Sequence, residues 1–391
     1  MPSLYLFAPE NDMALAFGGK HYTPPPVACT IAHDLSLLPL WYAEEENATV
    51  WSKQHITPDM RRALDLLGIT SYATTQLPND TTDCKPWGWS AYMTERLLRM
   101  GVTRTMLPDD ASIDKIRLLS GRATTRNIIL SLQEAGTGYP LPPLPTALTT
   151  GNEVEKYIAS QQASILKSPW SSSGRGVWYV RNGYDEATAR YAEGIIRKQG
   201  YIMGEVLQDK VSDLAMEFYS DGVSVRFAGY SLFETDERGA YTGNILDTND
   251  ALEQQIGSHI APEHLHNTRK ALEKILTTLI APHYKGYMGV DMILYRNEQN
   301  DILLHPCIEL NLRMSMGMVA RIIADRYLST NSKGTYRVAY NPDTTQLKEL
   351  HNTLQQQHPL NIATRKITKG YLALTPIEDN THYLAYIVVN E

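Results

Sequence analysis

Hydrophobic residues in the first 112 positions alternate between short apolar runs and longer helical patterns. Residues 4–7 and 48–51 are short apolar runs of the kind found in buried strands. Residues 60–67 and 91–100 have helical spacing, and a glycine, which commonly lies just past a helix end, follows each stretch. The order strand, helix, strand, helix predicts a small open α/β layer over residues 1–112.

A second region is predicted over residues 113–200. In chain order it holds a helix at 122–135, a proline-rich connector at 140–145, a helix at 152–160, strands at 163–167 and 176–180, and a helix at 185–200. Gly136 and Gly200 supply the C-terminal stop signals, and we expect Asn152 and Asp185 to be N-caps. The connector is expected to be extended because a residue that precedes proline avoids the helical region.

A third region is predicted over residues 201–330. It opens with the apolar strand 201–207 and ends in a hairpin of strands 289–296 and 302–312 across a polar turn. Between them, apolar residues three and four positions apart predict one face of a long amphipathic helix, namely Leu265, Leu272, Ile275, Leu276, Leu279 and Ile280. Residues 331–391 resemble a strand, a helix and two further strands, an α+β extension.

Composition excludes several classes of protein. The 391-residue chain is 43% hydrophobic and 20% charged, as expected of a globular protein with two or three domains. Its net charge of −7 comes without any block of Lys or Arg, so neither nucleic acid nor an acidic membrane is expected as a partner. Cys29, Cys84 and Cys307 are scattered, and the N-terminus has no basic, apolar leader. We therefore expect a cytoplasmic protein with reduced thiols.

The last hairpin presents a polar face. Side chains alternate along a strand, so one face of residues 307–313 is apolar and the other is mostly polar. The apolar face carries Ile308, Leu310 and Leu312, and the other carries Cys307, Glu309, Asn311 and Arg313. Glu309 and Asn311 lie about 6.6 Å apart along the strand and can hold one ion or two. Asp291 on the partner strand is the natural second carboxylate for magnesium, which prefers oxygen ligands. The alternative is a hairpin with one solvated face.

A lysine ends the apolar strand 163–167, and a Ser/Gly loop follows it at residues 171–176. A lysine in that position is costly unless its ammonium meets an anion or reaches water. Glycines let backbone N–H groups approach phosphate oxygens, and Arg175 adds further donors. The spacing is neither a Walker loop nor a dinucleotide fingerprint. The alternative is an ordinary hairpin loop.

Several weaker candidates lie outside these two segments. Glu205 interrupts an apolar strand and Asp213 follows it, as expected where adenine and ribose are bound, although a strand-end Glu and a turn Asp would look the same. Further candidates for lining a substrate cleft are the segments 22–26 and 87–89, Arg226, Asn244 and the loops of 229–246.

The order of these parts resembles the ATP-grasp superfamily over about residues 110–320. Residues 1–112 resemble the Rossmann-like domain that precedes that fold, so the resemblance implies an α/β (α+β) protein with a two-lobed ATP-grasp unit. Lobe 1 would span 113–200, and lobe 2, with the metal site, would span 201–330. The extension 331–391 lies beyond the family core.

The resemblance also implies roles for individual residues. Cofactor-binding residues would be Lys167, the loop residues Ser172, Ser173, Gly174, Arg175 and Gly176, the adenine-lining Glu205, Val206 and Leu207, and Asp213 at the ribose. Asp291, Glu309 and Asn311 would hold one or two Mg²⁺ ions, for which Mn²⁺ can substitute. Arg313 would be the catalytic cation. The family usually has another lysine before the proline connector; here Arg122 occupies that place, with Lys115 as the alternative.

Members of this family phosphorylate a carboxylate with ATP and let an amine attack the acyl phosphate. The implied function is therefore a Mg-dependent, ADP-forming carboxylate–amine ligase acting on small molecules. The alternatives are an ATP-binding sensor or scaffold without turnover, and a phosphotransferase that stops at phosphorylation. The sequence names neither the acid nor the amine, and it leaves open whether the chain forms a homodimer.

Overall fold

The computed structural model describes residues 3–171, 176–236 and 241–390. Its first domain is a four-stranded parallel sheet in the order β3-β2-β1-β4. The strands are β1 (Ser3–Leu6), β2 (Thr49–Trp51), β3 (Tyr72–Thr74) and β4 (Asp83–Pro86), and the helices are α1 (Asn11–Phe17), α2 (Pro26–Asp34), α3 (Pro58–Leu67) and α4 (Ala91–Arg99). Two 3₁₀ turns cover Leu38–Trp41 and Arg104–Met106. The predicted α/β layer is confirmed.

The first sheet changes direction next to β1. β2 lies on one side of β1, and β4, which follows later in the chain, lies on the other. Open α/β sheets bind ligands at the carboxyl ends of the strands flanking such a switch point. Here those ends are the residues just after Leu6 and just after Pro86.

The second unit is a four-stranded antiparallel sheet in the order β5-β8-β6-β7. Its elements are β5 (Thr146–Leu148), β6 (Ser164–Lys167), β7 (Val177–Val180) and β8 (Ile202–Val206), with α7 (Gly151–Ala159) and α8 (Glu186–Gln199), and the chain reaches it through α5 (Asp110–Leu119) and α6 (Ala123–Ala135). The strand at 201–207 was expected to open the third region, but β8 pairs with β5 and β6, so that assignment was wrong. A local pattern specifies a strand, not the sheet that it joins.

The third unit continues into the C-terminal extension as one nine-stranded sheet, β13-β12-β9-β10-β11-β14-β17-β16-β15. Its strands are β9 (Asp209–Ser220), β10 (Val225–Thr235), β11 (Tyr241–Leu246), β12 (Gly286–Arg296), β13 (Ile302–Asn311), β14 (Lys333–Tyr340), β15 (Asn361–Ala363), β16 (Lys366–Ala373) and β17 (Tyr383–Asn390). Its helices are α9 (Asn249–Gly257), α10 (Pro262–Leu279), α11 (Met316–Tyr327) and α12 (Thr344–Gln357).

Three further expectations need correction. The segment 229–246 contains β10 and β11, where we expected loops. Helix α6 was expected in the second unit, but its buried Ile128, Ile129 and Leu132 join the apolar core of the third. Helix α7 is capped by Thr150, which accepts from the amide of Glu153 at 3.3 Å, and not by Asn152.

The C-terminal extension also contacts the first domain. The indole N–H of Trp41 donates to the backbone carbonyl of Leu374 at 2.7 Å, and both residues are buried. The carboxylate of Asp34 accepts from the amides of His382 and Tyr383 at 2.8 and 3.0 Å. The extension therefore binds the first domain to the third unit. Among the described residues, no helix has both the length and the apolar character needed to cross a membrane.

Candidate functional site

The hairpin of β12 and β13 sets two carboxylates opposite each other. Its register pairs Asp291 with Glu309 and Gly289 with Asn311. The amide nitrogen of Asn311 donates to the Asp291 carboxylate at 3.0 Å. Glu309 and Asn311 are two positions apart in β13, so strand alternation puts their side chains on the same face, which is the face that the sequence predicted to be polar.

The two carboxylates repel each other. Burial and the charge of Glu309 together raise the pKa of Asp291 to about 7. A cation between them would relieve this repulsion, and carboxylate oxygens are ligands that Mg²⁺ accepts. In the described part of the chain, no three His, Cys, Asp or Glu side chains group closely enough to hold a metal ion by themselves. The residues therefore fit a Mg²⁺ ion that is also held by phosphate oxygens, and Asn311 would first have to turn its oxygen toward Asp291.

Arg122 connects this hairpin to the start of the Ser/Gly loop. It is buried just before α6, and its Nε donates to the carbonyl of Ser168 at 3.1 Å. Its Nη2 donates to Ser171 Oγ at 3.3 Å and to Glu309 Oε2 at 3.0 Å. Arg122 offers a rigid fork of donors where a lysine would offer a point charge. Its role as the first phosphate-contacting cation, for which Lys115 was the alternative, stays a prediction.

Lys167 ends β6 with its ammonium on Glu205 of β8, 2.5 Å from Oε2. Both residues are buried, so each charge depends on the other. His305 and Cys307 of β13 lie beside this pair. Burial and the charge of Lys167 lower the pKa of His305 to about 3, and burial raises the pKa of the Cys307 thiol. Lys167 and Glu205 therefore face the same strand that carries Glu309.

The Ser/Gly loop is described only at its two ends. Ser172, Ser173, Gly174 and Arg175 lie outside the described residues. The amide of Ser168 donates to the carbonyl of Gly176 at 2.7 Å. A Cβ on Gly176 would lie 2.2 Å from that of Ser171, so only glycine fits where the loop closes.

The other predicted nucleotide contacts are more dispersed. Val206 ends β8, and the amide of Leu207 donates to the carbonyl of Ala163 at 3.2 Å. Asp213, expected at the ribose, accepts from Lys210 at 2.6 Å and from Thr235 at 3.1 Å. Those contacts do not join it to the carboxylates of the hairpin, so its ribose role stays a prediction.

Arg313 joins the hairpin to the first domain. Its guanidinium forms an ion pair with Asp12 at 2.7 Å and donates to the amide oxygen of Asn311 at 3.0 Å. Gly88 pairs with Arg313 as an antiparallel bridge, and the amide of Met314 donates to the carbonyl of Trp87 at 2.8 Å. The segment 87–89, a weak candidate in the sequence, thus lies at the site. Asp12 was missed, because nothing local distinguishes it from a helix-start aspartate.

A second missed residue is Glu217 of β9. It is fully buried, and its carboxylate accepts from the hydroxyl of Ser315, the N-cap of α11, at 3.0 and 3.1 Å. Burial and the nearby charge of Asp291 raise the pKa of Glu217 to about 8. It packs behind the hairpin, where a Cβ on Gly289 would lie 2.8 Å from Oε2.

Comparison with known proteins bears on the fold. No family model and no curated protein sequence matches the chain. N5-carboxyaminoimidazole synthetase from Staphylococcus aureus, complexed with ADP, matches at 11% identity and a TM-score of 0.52, over 100% of this chain and 93% of that one. A biotin carboxylase from Campylobacter jejuni, complexed with β,γ-ATP, matches at 12% and 0.51, over 100% and 87%.

A third solved structure extends the comparison. It is the biotin carboxylase domain dimer of the Hydrogenobacter thermophilus 2-oxoglutarate carboxylase, with MgADP, ADP and bicarbonate. It matches at 12% identity and a TM-score of 0.53, over 99% of this chain and 85% of that one. At such identities the likeness shows the fold alone. The fold is the ATP-grasp fold, with an α/β domain before it, as the sequence predicted.

Proposed function

We propose that this chain is a Mg-dependent, ADP-forming ligase that activates a carboxylate as an acyl phosphate and joins it to an amine. The observation that carries the proposal is the bridge made by Arg122 between Ser171 and Glu309. It connects a phosphate-type loop to a carboxylate suited to magnesium. Proteins with the same fold were solved with ADP and with MgADP, which supports a nucleotide in the same place.

The charge of each site residue determines its proposed role. Arg122 and Lys167 supply cations for phosphate oxygens, and ATP would compete with Glu205 for the ammonium of Lys167. Asp291 and Glu309 would hold magnesium, whose chemistry when bound is to neutralise phosphate charge. Arg313 would offset the charge that develops on the transferred phosphoryl group.

The reaction then needs no covalent group from the protein. A carboxylate oxygen attacks the γ-phosphorus, and ADP leaves with the electron pair of the broken P–O bond. The amine nitrogen attacks the carbonyl carbon, phosphate leaves with the C–O pair, and the nitrogen loses a proton. Positioning and charge stabilisation account for catalysis in such a transfer.

The test replaces Glu309 with Ala. Mg-dependent ADP release, screened over pools of acids and amines, should be abolished with little change in melting temperature, because Glu309 is partly exposed. Glu298→Ala, in the exposed turn of the same hairpin, is the matched control and should keep wild-type activity. Wild-type turnover by Glu309→Ala would reject the metal assignment.

The same assay separates the other two functions. A sensor or scaffold would bind MgATP without releasing ADP with any pool. A phosphotransferase would leave labelled phosphate on a stable product, whereas a ligase releases it as free phosphate. The cytoplasmic location stays a prediction; it agrees with the free thiols of Cys29, Cys84 and Cys307.

A further inference from the structure

The crevice at the switch point of the first sheet faces the metal hairpin. Asn11 and Asp12 begin α1 just beyond the carboxyl end of β1, and Gly88 follows β4. Arg313, which follows β13, closes the other side through its bridge to Gly88 and its ion pair with Asp12. A ligand in this crevice would lie between the first domain and the carboxylates of the hairpin.

Asn11 is the polar group that the protein leaves unsatisfied here. The residue is 2% exposed, and neither its side-chain nitrogen nor its side-chain oxygen has a hydrogen-bond partner among the described residues. A buried amide without hydrogen-bond partners destabilises the folded protein, because it has lost its hydrogen bonds to water. A Cβ on Gly88 would lie 2.5 Å from the amide nitrogen, so glycine at this position is what gives Asn11 its room. The free donor and acceptor fit a ligand that supplies both.

Asp12 and Arg313 fill the crevice with opposite charges. The remaining cavity, lined also by Leu15, Trp170 and Ser171, has about 10 Å³, room for one water molecule. A substrate must therefore displace this ion pair. The two side chains are 18% and 19% exposed, so a ligand that took only one of them would leave the other charge poorly solvated.

We propose that this crevice binds the acid substrate as a zwitterionic amino acid. The inference rests on the proposed function. The ammonium of the substrate takes the Asp12 carboxylate and its carboxylate takes the Arg313 guanidinium, so one intramolecular ion pair becomes two intermolecular ones. The backbone of Arg313 stays bridged to Gly88, so the guanidinium holds the substrate carboxylate beside the metal hairpin. The oxygen that attacks the γ-phosphorus is then one of the two oxygens of the substrate carboxylate. The side-chain amide of Asn11 hydrogen-bonds to the polar groups of the substrate.

The test uses the full chain with MgATP and, one at a time, the standard amino acids, D-alanine and β-alanine. Acetate and methylamine, each carrying one of the two charges, are the probe controls. At least one amino acid should stimulate ADP release, and neither acetate nor methylamine should do so at the same concentration. Direct calorimetric binding of the same compounds, with and without MgATP, is the second readout.

Two variants test the residues. Asp12→Asn should raise KM for the amino acid about tenfold or more while changing KM for MgATP less than about twofold, because the amino acid, and not MgATP, loses a charged partner. Asn11→Ala should also raise KM for the amino acid, and Asp65→Asn, on the exposed face of α3, should change neither.

The outcomes distinguish this inference from the proposed function. Equal stimulation by acetate, an unchanged KM in Asp12→Asn, or MgATP binding with no response to any amino acid would overturn the zwitterion site and leave the ATP site standing. Amino-acid binding that Asp12→Asn abolishes, in a protein that does not bind MgATP, would support the site and reject the ligase.

Discussion

The guanidinium of Arg122 lies 3.0 Å from the carboxylate of Glu309, 187 positions later in the chain. One side chain thus reaches both the start of the Ser/Gly loop and the strand with the candidate metal ligands. The contact joins α6, the second unit's loop and the third unit's sheet at one point. Its position makes Arg122 the most sensitive test of whether the two halves of the site act together.

Arg122→Lys is expected to lower MgATP affinity about tenfold or more. Lysine keeps the charge but cannot donate to the Ser168 carbonyl, Ser171 and Glu309 together. Titration calorimetry with MgATP measures the effect. Arg126→Ala is the control on the same helix, since within the described ranges that arginine donates to the carbonyl of Pro145 and not to the site. Wild-type affinity in Arg122→Lys would contradict the bridging role.

The Lys167–Glu205 pair predicts non-additive stability. Lys167→Met should destabilise the protein by about 3–5 kcal/mol, because it leaves the Glu205 carboxylate buried without its cation. The double variant Lys167→Met with Glu205→Gln should be more stable than the single variant, since no buried charge remains. Urea unfolding of the four proteins of this cycle is the measurement. Additive losses would show that the two residues do not depend on each other.

Gly317→Ala should destabilise the site from behind. The added Cβ would lie 2.4 Å from Glu217 Oε1 and 2.4 Å from the hydroxyl oxygen of Ser231, so those groups must move, at about 1–3 kcal/mol. Gly194→Ala is the matched control inside helix α8, where no described atom outside the local helix backbone lies within 4 Å of the added Cβ. It should be neutral or stabilising by up to about 1 kcal/mol. Equal unfolding midpoints for both variants would contradict the tight packing around Glu217.

Glu217 predicts a pH dependence of stability. Its pKa rises from 4.5 to about 8 on folding, so the folded protein holds a proton that the unfolded chain releases between those values. The stabilisation is complete below the unfolded pKa and is lost as pH rises toward 8. Glu217→Gln, which stays neutral, should lose less stability than wild type between pH 5 and 8. Urea unfolding across that range with EDTA measures this difference, and parallel curves would reject it.

Much of the fold was predictable because its signals are local. Period-two alternation gave the hairpin of β12 and β13 and its polar face, and Gly136 and Gly200 end their helices in the left-handed conformation as expected. The sheet that β8 joins was not predictable. Strand pairing between β8 and β6 depends on tertiary packing, and an apolar run in the sequence does not specify which strand it will pair with.

The site was predictable only on its hairpin and lysine strand. Asp12 and Arg313 are 301 positions apart, and neither residue's neighbours in sequence indicate the ion pair. Glu217 lies among the apolar residues of β9, and its own sequence neighbours do not indicate that it is buried. In the structure, Gly289 and Gly317 leave the space that its carboxylate occupies. Partners of this kind follow from the packing of three units, whereas the sequence pattern describes each unit separately.

The joining of residues 333–390 to the nine-stranded sheet has a consequence for dissecting this protein. A fragment cut after α11 would expose the edge of β11 and leave Trp41 and Asp34 of the first domain without their acceptor and donors. Bare strand edges recruit other chains, so such a fragment should precipitate. Although residues 333–390 come last in the chain, removing them would also cost the first domain its hydrogen bonds to Leu374, His382 and Tyr383.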